Sequence, residues 1–328
     1  MIRVAIDVSP LVQTRAGTAR YISGLLRELH KRADVDVATR SFGREGRIST
    51  ITRDALWYPL VLGRERRADV LHCPTYRGPI RSRLPLVVTV HDLAVLRHPE
   101  TFNRWTRTYS PWLVPRVLLA ARRVIAVSDF TRRELTELLD VPGEKIRVVP
   151  NAVEDEFTRD GPAADGEYVL AVGTLEPRKN LPRLVEAVRR ADVELRVVGA
   201  RGWGNVDVGT NGVRWLGEVS DDELARLYRG AVCLAYPSLY EGFGIPVLEA
   251  MACGVPVVTT RGTAMEEVAD GAALLVDTQD PAEIAAGIER AAAQRDELVA
   301  RGLERARAFR WDAVVDATVA VYREARDD

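Results

Sequence analysis

Short, predominantly apolar segments alternate with amphipathic segments along both halves of this chain, and most apolar segments end in glycine or polar residues. In the first half, residues 3–8 precede a segment whose apolar residues share one helical face, and residues 168–172 begin the same arrangement in the second half. Apolar runs of this kind are typical of parallel strands that are covered by helices on both faces. The pattern predicts an α/β fold with two doubly wound, Rossmann-like parallel sheets that face across a cleft.

The length of the chain favours two domains over one. Its 328 residues exceed the usual size of a single hydrophobic core, and an apolar content of 47% suffices for two. Residues 154–165 are polar and rich in turn-forming residues, so we predict an interdomain linker there. The predicted domains are residues 1–155 and residues 166–309.

The cysteines and the N-terminus bear on the cellular compartment. The three cysteines lack metal-binding spacing and lie beside apolar segments, which is typical of reduced packing residues. The first residues lack the basic region and the long apolar core of a secretion signal. No apolar run is long enough to span a bilayer. We therefore expect a cytoplasmic chain.

The net charge of −1 conceals two oppositely charged halves. Residues 1–150 carry 26 Lys and Arg against 15 Asp and Glu, whereas the remaining residues carry 20 against 32. The excess of cations in the first half indicates an anionic partner, either a phosphate-bearing acceptor or the acidic inner face of a membrane. An equally supported alternative is that the two halves attract each other electrostatically.

Residues 238–258 combine a strand end, a glycine loop and a helix start, and this segment is the strongest candidate for a ligand site. Gly242 and Gly244 allow backbone conformations that a side chain disfavours, and Pro246 suits the first turn of a helix. The free amides of that helix start, together with its positive dipole end, favour a phosphate or diphosphate.

Two carboxylates, Glu241 and Glu249, frame this helix start. Their spacing corresponds to about 12 Å of rise on a continuous helix, whereas the paired carboxyls of a glycoside hydrolase lie about 5 to 9.5 Å apart. They are therefore better placed to hold hydroxyl groups at two ends of a long ligand than to act as one acid–base pair. Spacing alone also fits a glycine turn followed by a helix with a surface glutamate.

The string Glu241-Gly-Phe-Gly-Ile-Pro-Val-Leu-Glu249, followed by Ala-Met-Ala-Cys-Gly-Val-Pro-Val-Val, closely resembles the signature of the family-4 retaining glycosyltransferases of the GT-B fold. The resemblance implies that Glu241 faces the donor sugar and that Glu249 faces the nucleotide ribose. It also implies that loop amides around Phe243, Gly244 and Ile245 meet the donor diphosphate.

Arg178 and Lys179 directly precede the second amphipathic segment, for which Asn180 is the expected N-cap. The resemblance makes the two cations a diphosphate clamp that takes the place of a divalent metal. No metal and no cofactor other than the donor substrate are therefore expected. Many relatives carry an arginine where Thr174 stands, so Arg178 is expected to take part of that charge. Two adjacent cations would also fit a solvated turn.

Three further regions are implied by the resemblance. The family's first glycine loop approaches the diphosphate, and the corresponding residues here are Gly17, which follows Ala16, and Thr18. His91 corresponds to a histidine beside the donor sugar, although a lone histidine after a strand is otherwise more often structural. Gly217 falls in the loop that faces the base.

Three segments complete the prediction. The D-x-D at residues 34–36 could bind a metal-nucleotide, but its apolar flanks favour a strand start. In residues 97–116 arginines and aromatic residues interleave, which fits a membrane-interfacial or acceptor-facing surface as well as a core helix. Residues 310–328 resemble the C-terminal helix that packs back on the first domain in GT-B proteins.

Together these features predict a retaining, metal-independent glycosyltransferase that moves a hexose from a nucleotide-diphosphate sugar to a glycan or a lipid-linked, anionic acceptor. GDP-mannose is the family-level choice of donor, and nucleic acid is not an expected partner. A non-hydrolysing nucleotide-sugar epimerase has the same fold, and a two-domain sugar-binding module without chemistry is the alternative from another class. Release of nucleoside diphosphate and a gain in acceptor mass distinguish the transferase from both.

Overall fold

The computed structural model describes residues 1–12, 17–43, 47–102, 104–202 and 212–328. The chain divides into two compact units: unit 1 comprises Met1–Ala152 with Arg310–Asp328, and unit 2 comprises Val153–Phe309. Residues 154–165, the predicted linker, lie within unit 2. They are held there by Arg229, which donates hydrogen bonds to the main-chain oxygens of Pro162 and Thr158.

The strands are β1 Ile2–Asp7, β2 Val35–Arg40, β3 Val70–Cys73, β4 Leu86–Val90, β5 Arg123–Ala126, β6 Ile146–Val148, β7 Tyr168–Val172, β8 Glu194–Val198, β9 Val213–Gly217, β10 Cys233–Tyr236, β11 Val257–Thr260 and β12 Leu274–Val276. The α-helices are α1 Gly17–Leu29, α2 Arg47–Thr52, α3 Ala94–Arg97, α4 Arg104–Ala120, α5 Asp129–Leu139, α6 Leu181–Arg190, α7 Asp221–Gly230, α8 Ile245–Ala252, α9 Ala264–Ala269, α10 Pro281–Ala293, α11 Arg295–Ala306 and α12 Trp311–Asp327. A π-helical segment, Arg53–Val61, follows α2, and 3₁₀ turns lie at Ser9–Val12, Leu62–Arg64, Pro99–Thr101, Gly143–Lys145 and Pro177–Lys179. Among these elements there is no helix with the length and apolarity that crossing a bilayer requires.

Unit 1 is built on a six-stranded sheet in the order β2-β1-β3-β4-β5-β6, with every pair parallel. Successive strand residues enter different apolar clusters, as Val70 and Leu71 do on β3 and Val87 and Val88 do on β4. Both faces of the sheet are therefore covered, which is why these strands are continuous apolar runs in the sequence.

Helix α12 closes one face of the unit 1 sheet. Val315, Val319 and Tyr322 on this helix are buried in the same cluster as residues of α1. The close approach of the two helices requires a glycine, because a Cβ on Gly24 would lie 2.1 Å from the ring of Trp311. The last residues of the chain are thus part of the core of unit 1.

Unit 2 has a second parallel sheet in the order β12-β11-β10-β7-β8-β9. The chain starts at β7, adds β8 and β9 on one side and then β10 to β12 on the other, so the strand order reverses beside β7. In open α/β sheets ligands bind outside the carboxyl ends of the strands at such a reversal point. A ligand site is therefore expected at the segments that follow β7 and β10.

Candidate functional site

The segments that follow β7 and β10 bring charged residues together. The two strands are parallel neighbours through the pairs Cys233–Val169 and Leu234–Leu170, so their carboxyl ends lie at the same edge of the sheet. The main chain joins the two segments directly, because the amide of Leu239 donates to the carbonyl of Arg178 at 2.8 Å. Arg178 and Lys179 after β7 are thereby placed against the loop that carries Glu241 after β10.

Glu241 is buried between two cations. Nη1 of Arg178 donates to its Oε2 at 2.8 Å, and Nζ of Lys179 donates to its Oε1 at 2.6 Å. Nζ of Lys179 also contacts the hydroxyl of Tyr236 at 2.8 Å, and Nη2 of Arg178 donates to Glu176 at 2.6 Å. Two cations and two carboxylates thus form one charge-balanced cluster.

The cluster fixes the charge state of its members. Burial alone would raise the pKa of Glu241, but the charges and hydrogen bonds of Arg178 and Lys179 outweigh burial and lower that pKa to about 2. Burial would lower the pKa of Lys179, yet the nearby Glu241 carboxylate raises it above its ordinary value. Burial and the same carboxylate raise the pKa of the Tyr236 hydroxyl to about 12. At neutral pH the site therefore holds an ion pair beside a neutral phenol.

Helix α8 begins directly beyond Glu241. Gly244 precedes it with φ of +93°, a conformation that a side chain strains, and Pro246 occupies its first turn, as the sequence predicts. Glu249 lies about one turn further along, as predicted, and is 1% exposed. The hydroxyl of Tyr228 donates to its Oε2 at 2.8 Å, which orients the carboxylate.

A small cavity lies at the same strand ends and is lined by residues of both segments, among them Gly173, Lys179, Pro237 and Ser238. The hydroxyl oxygen of Ser238 is buried and makes no hydrogen bond in the described part of the chain. A buried hydroxyl without a partner is uncommon in proteins. Ser238 is therefore a polar group with capacity for one more contact at this edge of the sheet.

Thr174 and Gly217 lie at the edge formed by the ends of β7, β8 and β9. The amide of Gly173, next to Thr174, donates to Val198, and the amide of Gly199 donates to the carbonyl of Gly217, both at 2.8 Å. The neighbouring Trp215 stacks under Arg201, whose guanidinium lies 4.7 Å from the ring centroid. The predicted donor-binding positions of unit 2 thus share one edge of its sheet.

His91, Gly17 and Thr18 belong to unit 1. His91 follows β4, donates from Nε2 to the carbonyl of Pro74 at 3.1 Å and packs edge-on against Tyr21. Burial lowers the pKa of His91 in spite of the adjacent Asp92, so its imidazole is neutral at pH 7. Helix α1 begins at Gly17, so the predicted loop ends earlier than expected, while Thr14, Arg15 and Ala16 lie outside the described residues.

The contacts resolve the alternative that the sequence left open at residues 34–36. Asp34 is paired with Arg32 and Arg323, and β2 begins at Val35, so the D-x-D is a strand start. In the described residues no group of three or more His, Cys, Asp or Glu side chains could hold a metal ion. His72 is a structural histidine that is fully buried between Thr89 and Tyr322.

Sequence reasoning overlooked three polar partners of the site, namely Glu176, Tyr228 and Tyr236. The helical spacing of apolar residues predicts only that Tyr228 is a core residue. The contact of its hydroxyl with Glu249 depends on the packing of α7 against α8, which a local sequence pattern does not predict. Tyr236 ends a buried strand two residues before Ser238, and a phenol at a strand end is the signal that could have identified it. Glu176 lies two residues from Arg178 and is indistinguishable from a surface turn in the sequence.

Comparisons with known proteins cover both units. The protein-family model described as "Glycosyl transferases group 1" matches residues 153–309. The protein-family model described as "Glycosyltransferase Family 4" matches residues 15–157. The O-antigen chain mannosyltransferase B of Escherichia coli is 33% identical, over 79% of this chain and 75% of the relative. The D-inositol 3-phosphate glycosyltransferase of Acidothermus cellulolyticus is 29% identical, over 98% of this chain and 89% of the relative. Among solved structures, that of Anabaena HepE in complex with UDP-glucose superposes with a TM-score of 0.74 at 17% identity, covering 98% of this chain and 99% of HepE.

Proposed function

The chain belongs to the family-4 glycosyltransferases of the GT-B fold, and from that membership we propose that it transfers a hexose from a nucleotide-diphosphate sugar with retention of configuration. The main support for the proposal is that Arg178 and Lys179 both donate hydrogen bonds to Glu241 beside the start of α8. This arrangement places two cations and a carboxylate at one sheet edge, directly before the start of α8. A diphosphate joined to a sugar presents the complementary groups.

The charge balance of the cluster defines how the donor would bind. Each cation is already paired with a carboxylate, so a diphosphate would replace Glu241 as the partner of Arg178 and Lys179. The released carboxylate would then accept hydrogen bonds from hydroxyls of the sugar. In this proposal Glu249, which Tyr228 orients, accepts hydrogen bonds from the ribose hydroxyls. The amides around Phe243, Gly244 and Ile245 face the diphosphate.

The proposed mechanism uses this site to stabilise the leaving group. As the bond between the sugar and the diphosphate breaks, negative charge develops on the diphosphate and is met by the two cations and the helix amides. A fixed clamp of this kind performs the task of a divalent ion, so the proposed reaction is metal-independent. The acceptor hydroxyl attacks the face from which the diphosphate departs, and its proton passes to an oxygen of the leaving diphosphate. In unit 1 we assign Gly17, Thr18 and His91 to contacts with the reacting substrates.

Two relatives guide the choice of substrates. The similar protein from Escherichia coli is named as a mannosyltransferase, which supports mannose as the transferred sugar. We propose GDP-mannose as its donor form. The similar protein from Acidothermus cellulolyticus is named for an acceptor that carries a phosphate. HepE supports a nucleotide-sugar donor through its UDP-glucose complex. A glycan or lipid-linked acceptor with an anionic group is consistent with the cationic first half of the chain.

The experiment that tests the proposal compares Lys179→Met with Lys31→Met. Methionine keeps the volume of Lys179 but removes the charge from the clamp, whereas Lys31 is an exposed lysine paired with Glu28. With GDP-mannose and an acceptor mixture, we expect Lys179→Met to lower the rate of transfer by about 10²–10³-fold. The readouts are release of nucleoside diphosphate and a gain of one hexose in acceptor mass.

Three results would contradict the proposal. Transfer at the wild-type rate by Lys179→Met or by Glu249→Ala would remove the clamp or the ribose contact from the mechanism. Interconversion of nucleotide sugars without an acceptor product would identify an epimerase. Binding of nucleotide sugars without any turnover would identify a sugar-binding module.

A further inference from the structure

Exposed apolar side chains are concentrated in one part of unit 1. Of the ten large apolar residues that are exposed in the described part of the chain, seven lie in two neighbouring segments. One segment runs from α2 through the π-helical segment, and the other is α4. Scattered single apolar residues are normal on a protein surface, but a concentration of them marks an interaction site.

Helix α4 carries an aromatic stripe along its exposed side. Trp105, Trp112 and Leu119 recur every seventh residue and are 36%, 46% and 52% exposed. Tyr109 lies between the two indoles, with ring centroids 5.0 Å from Trp105 and 5.7 Å from Trp112. Arg116 covers Trp112, its guanidinium 4.5 Å from the ring centroid. Indole and phenol rings beside arginine are typical of side chains at the boundary between lipid and water.

The π-helical segment extends this surface. Leu56, Leu60 and Val61 are each about half exposed, at 51%, 47% and 52%. The segment is fixed to α4 through Asp54, whose carboxylate accepts a hydrogen bond from the indole of Trp105 and whose carbonyl accepts one from Tyr109. We call the exposed apolar side chains of these two segments, with the arginines beside them, the apolar–arginine face.

The charge around this face has one sign. Helix α4 contains Arg104, Arg107 and Arg116 and no acidic residue, and Arg64, Arg66 and Arg67 follow the π-helical segment. The two acidic residues within 47–67 are neutralised, because Asp54 is buried against Arg77 and Glu65 is paired with Arg40. Burial of apolar side chains next to uncompensated arginines is the combination that binds anionic lipid.

We propose that the apolar–arginine face docks unit 1 peripherally on an anionic lipid bilayer, with the tryptophans and leucines at the depth of the headgroups. A soluble glycan would stack on the aromatic rings but would not require Leu56, Leu60, Val61 and Leu119. A protein partner of unknown charge is a less specific match than a surface that is apolar and anionic at once. Binding to a bilayer does not require transfer of a sugar, so it is independent of the identity of the donor.

The test measures binding of the full chain to vesicles by co-sedimentation. Vesicles of phosphatidylcholine with about 30 mol% phosphatidylglycerol are compared with phosphatidylcholine alone. We expect at least about tenfold tighter binding to the anionic vesicles, and this difference should shrink as salt rises from about 0.05 to 0.5 M. The double variant Trp112→Ser/Leu119→Ser should lose binding at least about tenfold.

Two control variants match the chemistry of the test. Trp215→Ser removes another exposed tryptophan that lies under an arginine, but in unit 2, and should bind vesicles like the wild type. Arg104→Gln/Arg107→Gln should lower the preference for anionic vesicles, whereas Arg301→Gln/Arg307→Gln, on and just after α11, should not. An unchanged thermal midpoint would show that the variants remain folded, and the variants in unit 1 should also keep the thermal shift with donor.

Several outcomes would overturn the proposal. These are equal binding to both kinds of vesicle, binding by Trp112→Ser/Leu119→Ser at the wild-type level, or loss of binding in Trp215→Ser to the same extent. If the double variant lost transfer to a water-soluble acceptor while binding vesicles normally, the face would belong to the acceptor. If the wild-type chain self-associated in solution and the double variant did not, the face would be an interface between copies.

Discussion

In the proposed mechanism, Glu241 is the residue with which the donor diphosphate would compete for Arg178 and Lys179. Its carboxylate is ionised at neutral pH, because Arg178 and Lys179 hold its pKa near 2 in spite of burial. A diphosphate that binds both cations would compete with this carboxylate for them. In this proposal the strength of the ion pair sets part of the donor affinity.

We accordingly predict opposite effects of Glu241→Gln on binding and on transfer. Glutamine keeps the shape but removes the competing charge, so affinity for the nucleoside diphosphate should rise about tenfold, or ~1.4 kcal/mol. Transfer should fall, because the sugar loses its carboxylate contact. Isothermal titration calorimetry measures the first effect, and the matched control is Glu283→Gln, which disrupts a surface pair with Arg261. Weaker nucleotide binding in Glu241→Gln would mean that the carboxylate does not compete.

Tyr228 is predicted to act as a positioning residue for Glu249. Tyr228→Phe removes a buried hydrogen bond and should cost about 1 kcal/mol of stability, which thermal denaturation measures. Tyr168→Phe, which loses a buried hydrogen bond to Leu227, should cost a similar amount. Only Tyr228→Phe should raise KM for the donor, by about three- to tenfold with little change in kcat. Equal KM values in the two variants would reduce the role of Tyr228 to stability.

At the scale of single residues, the sequence predicts the ionised groups of the site better than their neutral partners. Arg178, Lys179 and Glu241 are identified through the resemblance to the family signature, because their spacing alone also fits a solvated turn and a glycine turn. Tyr236 and Tyr228 are not identified, since a buried tyrosine is predicted equally well as a packing residue. Their hydroxyls acquire a function only through contacts between elements that are distant in the sequence.

At the scale of elements, a left-handed glycine constrains the start of α8. Gly244→Ala would place a Cβ 2.9 Å from Cγ of Met265 at a φ of +93°, whereas Gly271→Ala has φ of +80° and open space around it. Both variants should lose about 1–2 kcal/mol of stability from the backbone strain. Only Gly244→Ala should also weaken nucleotide binding, because it shifts the amides at the start of α8. Thermal denaturation and calorimetry of the pair separate the two effects, and equal nucleotide affinity would contradict the assignment.

The boundaries of elements show where sequence patterns suffice. The predominantly apolar runs predict most strands because both faces of a sheet are covered, although buried polar residues such as His72 and Thr89 interrupt them. Asn180 precedes α6 as predicted, but its side chain donates to the carbonyl of Thr278 rather than capping the helix, and its φ is +58°. The π-helical segment with Pro59 has no periodic signal, so its form is set by burial of Arg53, Asp54 and Tyr58.

At the scale of the whole molecule, the stability of unit 1 should depend on pH through His72. Burial, and to a lesser extent His91, lower the pKa of His72 to about 3, against 6.5 for an ordinary histidine. Between these values the unfolded chain binds a proton that the folded chain does not, so stability falls as the pH falls from about 6.5 toward 3. At pH 5 the loss should be about 2 kcal/mol, or roughly 4–8 °C in thermal midpoint.

Variants at two histidines check this assignment. His72→Gln should lower the midpoint at pH 7 but flatten its dependence on pH between 5 and 7, because the titrating group is gone. His30→Gln, which replaces an exposed histidine on the surface of unit 1, should retain the full dependence. The same slope in His72→Gln and in the wild type would assign the pH dependence to other groups.

The assignment of the last helix to unit 1 also bears on how the protein is made. A ribosome releases residues 1–152 first, but α12, which covers one face of their sheet, follows only after all of unit 2 has been synthesised. At ordinary elongation rates this delay is on the order of ten seconds or more. Unit 1 therefore cannot complete its core until α12 has been synthesised, whereas unit 2 can complete its core before that. Without α12 one face of the unit 1 sheet stays uncovered, so we expect a chain that is truncated before Trp311 to aggregate or to be retained by chaperones.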